Sequence, residues 1–270
     1  MKGKLFAAID VGSYELNLKI YNVTANGMSQ VDDVRYRLDL GSDTYAKGKI
    51  ENERVEELCK ILKEFKAIMG SYKVDDYKAY ATSAIRETQN TVVLLDLIEQ
   101  RTGVKLEVLS NSEQRFLDYK SVASKGEVFN RIIEKGTAIV DIGGGSMQIS
   151  LFDKDTLVTT QNIRLGILRI RERLSNMEVT RSHYAQLIDE MVEAQIDAFK
   201  KLYLKDRQIE NIIVVDDYLS YVIQHSAPQE NGVGCVDVER YENFLLFLRE
   251  KNMTEIARTY GMTEDNALLL

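Results

Sequence analysis

At 270 residues the chain is long enough to bury a substantial core, as one large domain or two ordinary ones, and two lobes are the working expectation. Its formal net charge of −7 argues against a broad nucleic-acid footprint, which needs lysine and arginine gathered on one face. No apolar run approaches the ~20 residues that cross a bilayer, and Cys59 and Cys235 are too few for a disulfide framework or a cysteine zinc site.

Two separated histidines, His183 and His225, exclude a histidine-rich metal site and argue against a Ser-His-Asp triad. Any chemistry leans on carboxylates. With Met1 to Lys4 leading directly into a strand-like segment, the expectation is a cytoplasmic protein without DNA or membrane partners.

The first strong pattern, "AAIDVGSYELNLKIYN", predicts a strand, a tight glycine turn and a second strand with period-two alternation. "VRYRLDLG" adds a third strand. Glu51 to Met69 carries Val55, Leu58, Ile61, Leu62, Phe65 and Ile68 at helical spacing. "YKAYATSAIRETQN" reads as a strand running into a polar turn, and "TVVLLDLIEQRTG" as a helix closed by Gly103. "VKLEVLS" is a short strand and Asn111 to Lys125 is helical, ending a first α/β lobe over residues 1–125.

The second lobe, 126–270, opens on "AIVDIGGGSMQISLFD", again strand, turn and strand. "TLVTTQNIRLG" adds a strand, Arg169 to Leu174 and Ser182 to Leu204 read as helices, and "IENIIVVDD" is a buried-type strand. "SAPQENGVG", with the single proline Pro228, is a loop, and Val238 to Lys251 and "MTEIARTYG" are helices. The apolar ending "EDNALLL" looks interrupted, so the second lobe is expected to be incomplete.

The two hairpins align without a gap: Asp10 falls on Asp141, Gly12 on Gly143, Ser13 on Gly144, and the apolar alternation follows in both. This suggests one supersecondary unit used twice, against the alternative of two unrelated hairpins with structural glycines. A glycine turn can converge several N–H groups on one anion, and missing Cβ atoms let phosphate oxygens approach. Gly12, Ser13, Gly143, Gly144, Gly145 and Ser146 are therefore the phosphate candidates. A hard carboxylate before each turn can hold Mg²⁺ beside the phosphates, which makes Asp10 and Asp141 the metal candidates.

"AIDVGS", "ATSAIRE", "VDIGGGS" and "RLGILRIRER" closely resemble, in order and spacing, motifs of the exopolyphosphatase and guanosine pentaphosphate phosphatase (Ppx/GppA) family. The resemblance implies an α/β, two-lobed actin-like ATPase (ribonuclease H-like) fold, with duplicated phosphate hairpins and a cleft between lobes. It also implies Mg²⁺-dependent release of terminal phosphate from inorganic polyphosphate or pppGpp. The family's general base is a glutamate in a Ser-Gly-x-Glu-Glu-Ala-Arg segment; "SNSEQRFLDY" places Glu113 there, with Gln114 for the second acid and Phe116 for the arginine. The competing reading of Glu113 is an exposed acid at a helix start. Arg86 in "ATSAIRE" is the phosphate clamp candidate, because a guanidinium fork takes two phosphoryl oxygens. "RLGILRIRER" reads as structural, with Gly166 permitting a sharp turn.

This sequence departs from the family at several points. Gly-Gly-Gly-Ser-Thr-Glu becomes Gly-Gly-Gly-Ser-Met-Gln, so Gln148 lacks the glutamate's charge; Tyr14 and Glu15 replace Asn-Ser; and "VVDDYLS" stands where a Gly-Gly-Thr turn is expected, with Asp216 and Asp217 repelling phosphate. Three readings follow: an exopolyphosphatase or pppGpp phosphohydrolase, a weakly catalytic polyphosphate or guanosine-phosphate binding module, and an actin-like ATPase, against which the missing later turn counts. Monomer and homodimer both stay open.

Overall fold

The computed structural model describes residues 3–124, 126–177, 183–216, 219, 222, 229–230, 233–234, 236–267 and 270. Asp217, His225, Pro228 and Cys235 lie outside the described residues. The chain forms two compact units that interleave in sequence. The first is Met1–Leu117, Gly143–Met147 and Asn162–Phe199; the second is Asp118–Ile142, Gln148–Gln161 and Lys200–Leu270.

The first sheet holds five strands: β1 (Lys4–Val11), β2 (Glu15–Thr24), β3 (Gly27–Arg37), β4 (Asp76–Ala81) and β5 (Glu107–Val108). Their order is β3-β2-β1-β4-β5, with β1 antiparallel to β2 and parallel to β4. One face is formed by Ala7, Ile9 and Val11 of β1 with Leu16, Leu18 and Ile20 of β2, the alternation a half-covered sheet requires. Against it lies α2 (Asn52–Tyr72), whose Leu58, Ile61, Leu62, Phe65 and Met69 recur at helical spacing and are buried. Three further helices complete this stretch: α1 (Leu40–Lys47), α3 (Ser83–Glu87) and α4 (Thr91–Thr102). Gly103, at φ 64°, ends α4 in the left-handed conformation the sequence predicted for a helix stop.

After α5 (Asn111–Ala123) and α6 (Glu127–Ile133), the second sheet contains β6 (Thr137–Ile142), β7 (Met147–Asp153), β8 (Thr156–Ile163) and β9 (Asn211–Val215). Its order, β8-β7-β6-β9 with β6 parallel to β9, repeats the topology of the first four strands of the first sheet. The core beside it gathers Phe129, Ile133, Ile139 and Phe152, with the Tyr119 ring stacked 5.8 Å from Phe152. Between β8 and β9 come α7 (Ile167–Ser175) and α8 (Tyr184–Phe199), the latter running into a π-helical turn at Lys200–Leu204. Gln229–Glu230 and Val233–Gly234 pair as β10 and β11 inside the predicted loop. The chain then forms α9 (Val238–Glu250), α10 (Met253–Tyr260) and α11 (Glu264–Ala267). A reciprocal cap between Asn252 and Glu255 starts α10. Among the described residues no helix is long and apolar enough to cross a membrane.

Candidate active site

Both glycine turns belong to the first unit and share backbone bonding. Gly12 N–H donates to the Glu15 carbonyl and Gly143 N–H to the Ser146 carbonyl, each at 3.0 Å. The carbonyl of the next residue then takes the amide of the second residue of a helix: Ser13 O from Gly41 of α1 at 2.7 Å, and Gly144 O from Leu168 of α7 at 2.9 Å. The repeat therefore extends beyond the hairpin to three strands and a helix.

Close approach explains the three glycines. None of Gly143, Gly144 and Gly145 lies in the left-handed region. A Cβ at Gly144 would sit 3.1 Å from Ser13 Cβ and from a Leu168 methyl, and one at Gly145 would be 2.6 Å from Ser83 Oγ and would overlap Tyr45 Oη. Gly166 follows the same logic: its φ is −106°, and a Cβ there would collide with the backbone of Gly143, Gly144 and Ser146. The amides of Gly144 and Gly145 make no hydrogen bond among the described residues, which leaves donors for an anion.

Three hydroxyls line this turn. Ser13 Oγ lies 2.8 Å from Tyr45 Oη and 2.9 Å from Ser83 Oγ, and Tyr45 Oη donates to Ser83 Oγ at 3.0 Å. Burial pushes the Tyr45 phenol above its ordinary pKa, so it stays a neutral donor. The Arg169 guanidinium stands 4.2 Å over the Tyr45 ring and donates through Nε to the Gly145 carbonyl at 2.9 Å. Glu87 fixes it through an Nη2 bond of 2.8 Å and also pairs with Arg164 at 2.6 Å. Ser146 Oγ accepts from Asn162 Nδ2 at 3.2 Å. Sequence reasoning missed Tyr45, Ser83, Glu87 and Arg169. Gly166 was the available signal, since a glycine that permits backbone contact brings the start of α7, and hence Arg169, onto the turn.

Arg86 is half-buried, and Nη1 donates to the Leu109 carbonyl at 2.7 Å and to Gln114 Oε1 at 3.4 Å. Both hydrogen-bond partners are neutral; desolvation lowers the guanidinium's pKa, the cost of burying that charge, and the nearby Glu87 carboxylate partly offsets it. Its neighbour in sequence to Gln114, Glu113, is exposed and forms a capping box at the start of α5. Ser110 N donates to Glu113 Oε2 at 2.9 Å, and Glu113 N to Ser110 Oγ at 3.2 Å. These bonds hold the Glu113 carboxyl below its ordinary pKa.

Asp10 is exposed at the end of β1, opposite Asn17 in the strand register. In the second unit, Asp141 accepts from Gln148 Nε2 at 3.3 Å, and the same nitrogen lies 3.4 Å from Asp118 Oδ2. Asn17 falls on Gln148 when the turns are aligned, and Asn17 Oδ1 and Gln148 Oε1 are both buried and accept no hydrogen bond among the described residues. Each repeat thus sets an aspartate beside an amide whose oxygen is unused. Among the described residues no three acids, histidines or cysteines group to hold a metal, so oxygen sets mixing carboxylate and amide are what the chain offers a hard cation. Asp216 Oδ1 accepts from Leu219 N at 2.6 Å, a local turn bond.

Over residues 19–270 the chain matches the Ppx/GppA phosphatase family. It belongs to that family. Relatives similar to it include Exopolyphosphatase 1 of Mycobacterium tuberculosis, 28% identical over 188 residues, covering 67% of this chain and 52% of the relative. The guanosine-5'-triphosphate,3'-diphosphate pyrophosphatase of Pseudoalteromonas atlantica is 24% identical over 200 residues, covering 73% and 39%. A bifunctional 3-dehydroquinate synthase/phosphatase of Fusobacterium nucleatum is 25% identical over 176 residues, covering 63% and 26%. The chain thus spans about half the length, or less, of these curated relatives.

Among solved structures, an exopolyphosphatase from Cytophaga hutchinsonii superposes with a TM-score of 0.77 at 19% identity, covering 98% of this chain and 86% of that one. The Aquifex aeolicus Ppx/GppA family member gives 0.73 at 20% identity, covering 98% and 86%. These likenesses establish the two-domain actin-like α/β fold that the sequence motifs implied.

Proposed function

We propose that this Ppx/GppA protein hydrolyses a terminal phosphoanhydride, of inorganic polyphosphate or of pppGpp. The observation that carries the reading is the second glycine turn: two uncommitted amides, at Gly144 and Gly145, beside the hydroxyls of Ser13, Tyr45 and Ser83 and the Arg169 guanidinium. Such a cluster suits phosphoryl oxygens, with Gly12, Gly143 and Ser146 shaping the turns. Arg86, whose hydrogen-bond acceptors Leu109 O and Gln114 Oε1 are both neutral, clamps the transferring group.

Glu113 takes the proton of the attacking water. The water oxygen bonds to the terminal phosphorus, the bridging P–O bond breaks, and the chain shortened by one phosphate leaves. The Ser110 bonds keep Glu113 ionised, and giving them up raises its proton affinity for that step. Asp10 in the first unit and Asp141 in the second are the carboxylates that would each offer Mg²⁺ an oxygen ligand, and bound Mg²⁺ would neutralise charge on the phosphates. Relatives named exopolyphosphatase and guanosine-5'-triphosphate,3'-diphosphate pyrophosphatase support this substrate class.

A binding module with little turnover is the second reading, favoured by the capped state of Glu113 and the uncharged Gln148. Phosphate release from long-chain polyphosphate, pppGpp and ATP in Mg²⁺, compared between wild type and Glu113→Gln, separates the readings. Glutamine also completes a capping box, so the substitution removes the base while keeping the helix start. A loss of 10²-fold or more supports the hydrolase. Release that is unchanged removes Glu113 from the base role, and binding without release favours the module. ADP as the main product favours an ATPase.

A further inference from the structure

The stretch "RLGILRIRER" reads as structural in the sequence, yet two of its arginines, Arg164 and Arg169, end on one carboxylate oxygen. Glu87 Oε2, at the end of α3, accepts from Arg164 Nη2 at 2.6 Å and from Arg169 Nη2 at 2.8 Å. Arg169 also reaches the second glycine turn, through its 2.9 Å bond to the Gly145 carbonyl. Side-chain exposure rises along this series of contacts, from 13% at Arg169 through 25% at Glu87 to 68% at Arg164. The series therefore leads from the turn outward to solvent. We propose that Arg164 binds the phosphate next to the terminal one in a linear phosphoanhydride, and so selects phosphate chains over single phosphates. The proposal rests on the reading of the second turn as a phosphate site.

The balance of charge favours an anion here. Burial lowers the Arg86 pKa and the nearby Glu87 carboxylate opposes that fall, so one carboxylate faces three guanidiniums. Each guanidinium has more N–H donors than these bonds use, and its planar fork suits phosphoryl oxygens. A structural role alone accounts poorly for Arg164. An ion pair this exposed adds little to stability, and Arg169 keeps its Glu87 and Gly145 bonds without it. A terminal phosphate on the amides of Gly144 and Gly145 lies beside Arg169, and the phosphate behind it meets Arg164 farther out. Glu87 spaces the two guanidiniums but opposes the anion, so its position helps binding while its charge weakens it.

The test is calorimetric titration of the full chain with sodium tripolyphosphate and with sodium orthophosphate, at one ionic strength and in EDTA so that turnover does not consume the probe. Arg164→Gln is expected to weaken tripolyphosphate binding about tenfold and orthophosphate binding less than about twofold. Arg164→Lys, which keeps the charge, is expected within about threefold of wild type for both probes. Glu87→Gln keeps an oxygen that accepts from both arginines but removes the opposing charge, so tripolyphosphate binding is expected to tighten severalfold. A merely structural pair would make Glu87→Gln and Arg164→Gln fail alike. Urea unfolding checks that each variant is folded, and the Arg164 variants decide the matter if Glu87→Gln does not fold. Tripolyphosphate affinity of Arg164→Gln within about twofold of wild type, equal loss for both probes, weaker binding by folded Glu87→Gln, or no tripolyphosphate binding by wild type would each overturn the proposal. If binding follows the expected pattern but no phosphate is released in Mg²⁺, the hydrolase reading fails and the Arg164 subsite stands. Release with tripolyphosphate affinity unmoved by Arg164→Gln does the reverse.

Discussion

A methyl group added at Gly70, inside α2, would meet no heavy atom within 4 Å, whereas one at Gly166 would strike the backbone of Gly143, Gly144 and Ser146. Backbone cannot yield as a flexible side chain does. Gly70→Ala is therefore expected to stabilise the protein by about 0.5–1 kcal/mol through helix propensity, and Gly166→Ala to destabilise it by about 2 kcal/mol or more. Urea unfolding checks both, as opposite shifts of midpoint at unchanged slope. The same contrast shows how far residue-level reading of the turns could go. That Gly143 to Gly145 must be small was legible. What presses on them was not, because Ser13, Tyr45 and Ser83 meet across sequence separations of 32, 38 and 70 residues.

Helix starts carry the element-scale arguments. At α5 the cap depends on an ionised Glu113 whose folded pKa is depressed by Ser110. A depressed carboxyl contributes stability above its unfolded pKa of about 4.3 and loses it as pH falls through the lower folded value. The stability difference between wild type and Glu113→Ala is thus expected to hold near neutral pH and to shrink as pH drops below that range, measured by urea titrations across pH. At α1 the cap is Asp39, which accepts from Ser42 N at 3.0 Å and also pairs with Arg171 of α7. Asp39→Ala should cost about 1–2 kcal/mol, whereas Asp39→Asn, an equally good cap without charge, should cost less. The gap between them reads the ion pair. Periodicity exposed α2, where apolar positions alone face the core, but concealed α1. There the buried set includes Asp43 and Thr44, satisfied by the amide of Glu51 at 3.1 Å and the carbonyl of Ala84 at 2.9 Å. A helix whose inward face is polar gives a pattern search nothing to find.

For the whole molecule, the duplicated hairpin was the legible part of a larger repeat. Sheet order, the parallel fourth strand and the bond from each turn to its following helix are shared by both halves, while the third strands and helices have diverged beyond sequence matching. Net charge sets the remaining expectation. A chain with 42 acids against 35 lysines and arginines repels a polyanion at long range, and Arg86 and Arg169 are few against many phosphates. Polyphosphate binding should therefore depend on a divalent cation far more than binding by a basic protein does. Fluorescence anisotropy of an end-labelled polyphosphate is expected to show affinity falling tenfold or more when Mg²⁺ is replaced by EDTA at constant ionic strength. Holding ionic strength fixed matters, because Mg²⁺ also screens. Affinity unchanged at that fixed ionic strength would mean that the cation acts only through the long-range field; the expected fall means that the ion joins carboxylates of this chain to phosphate oxygens.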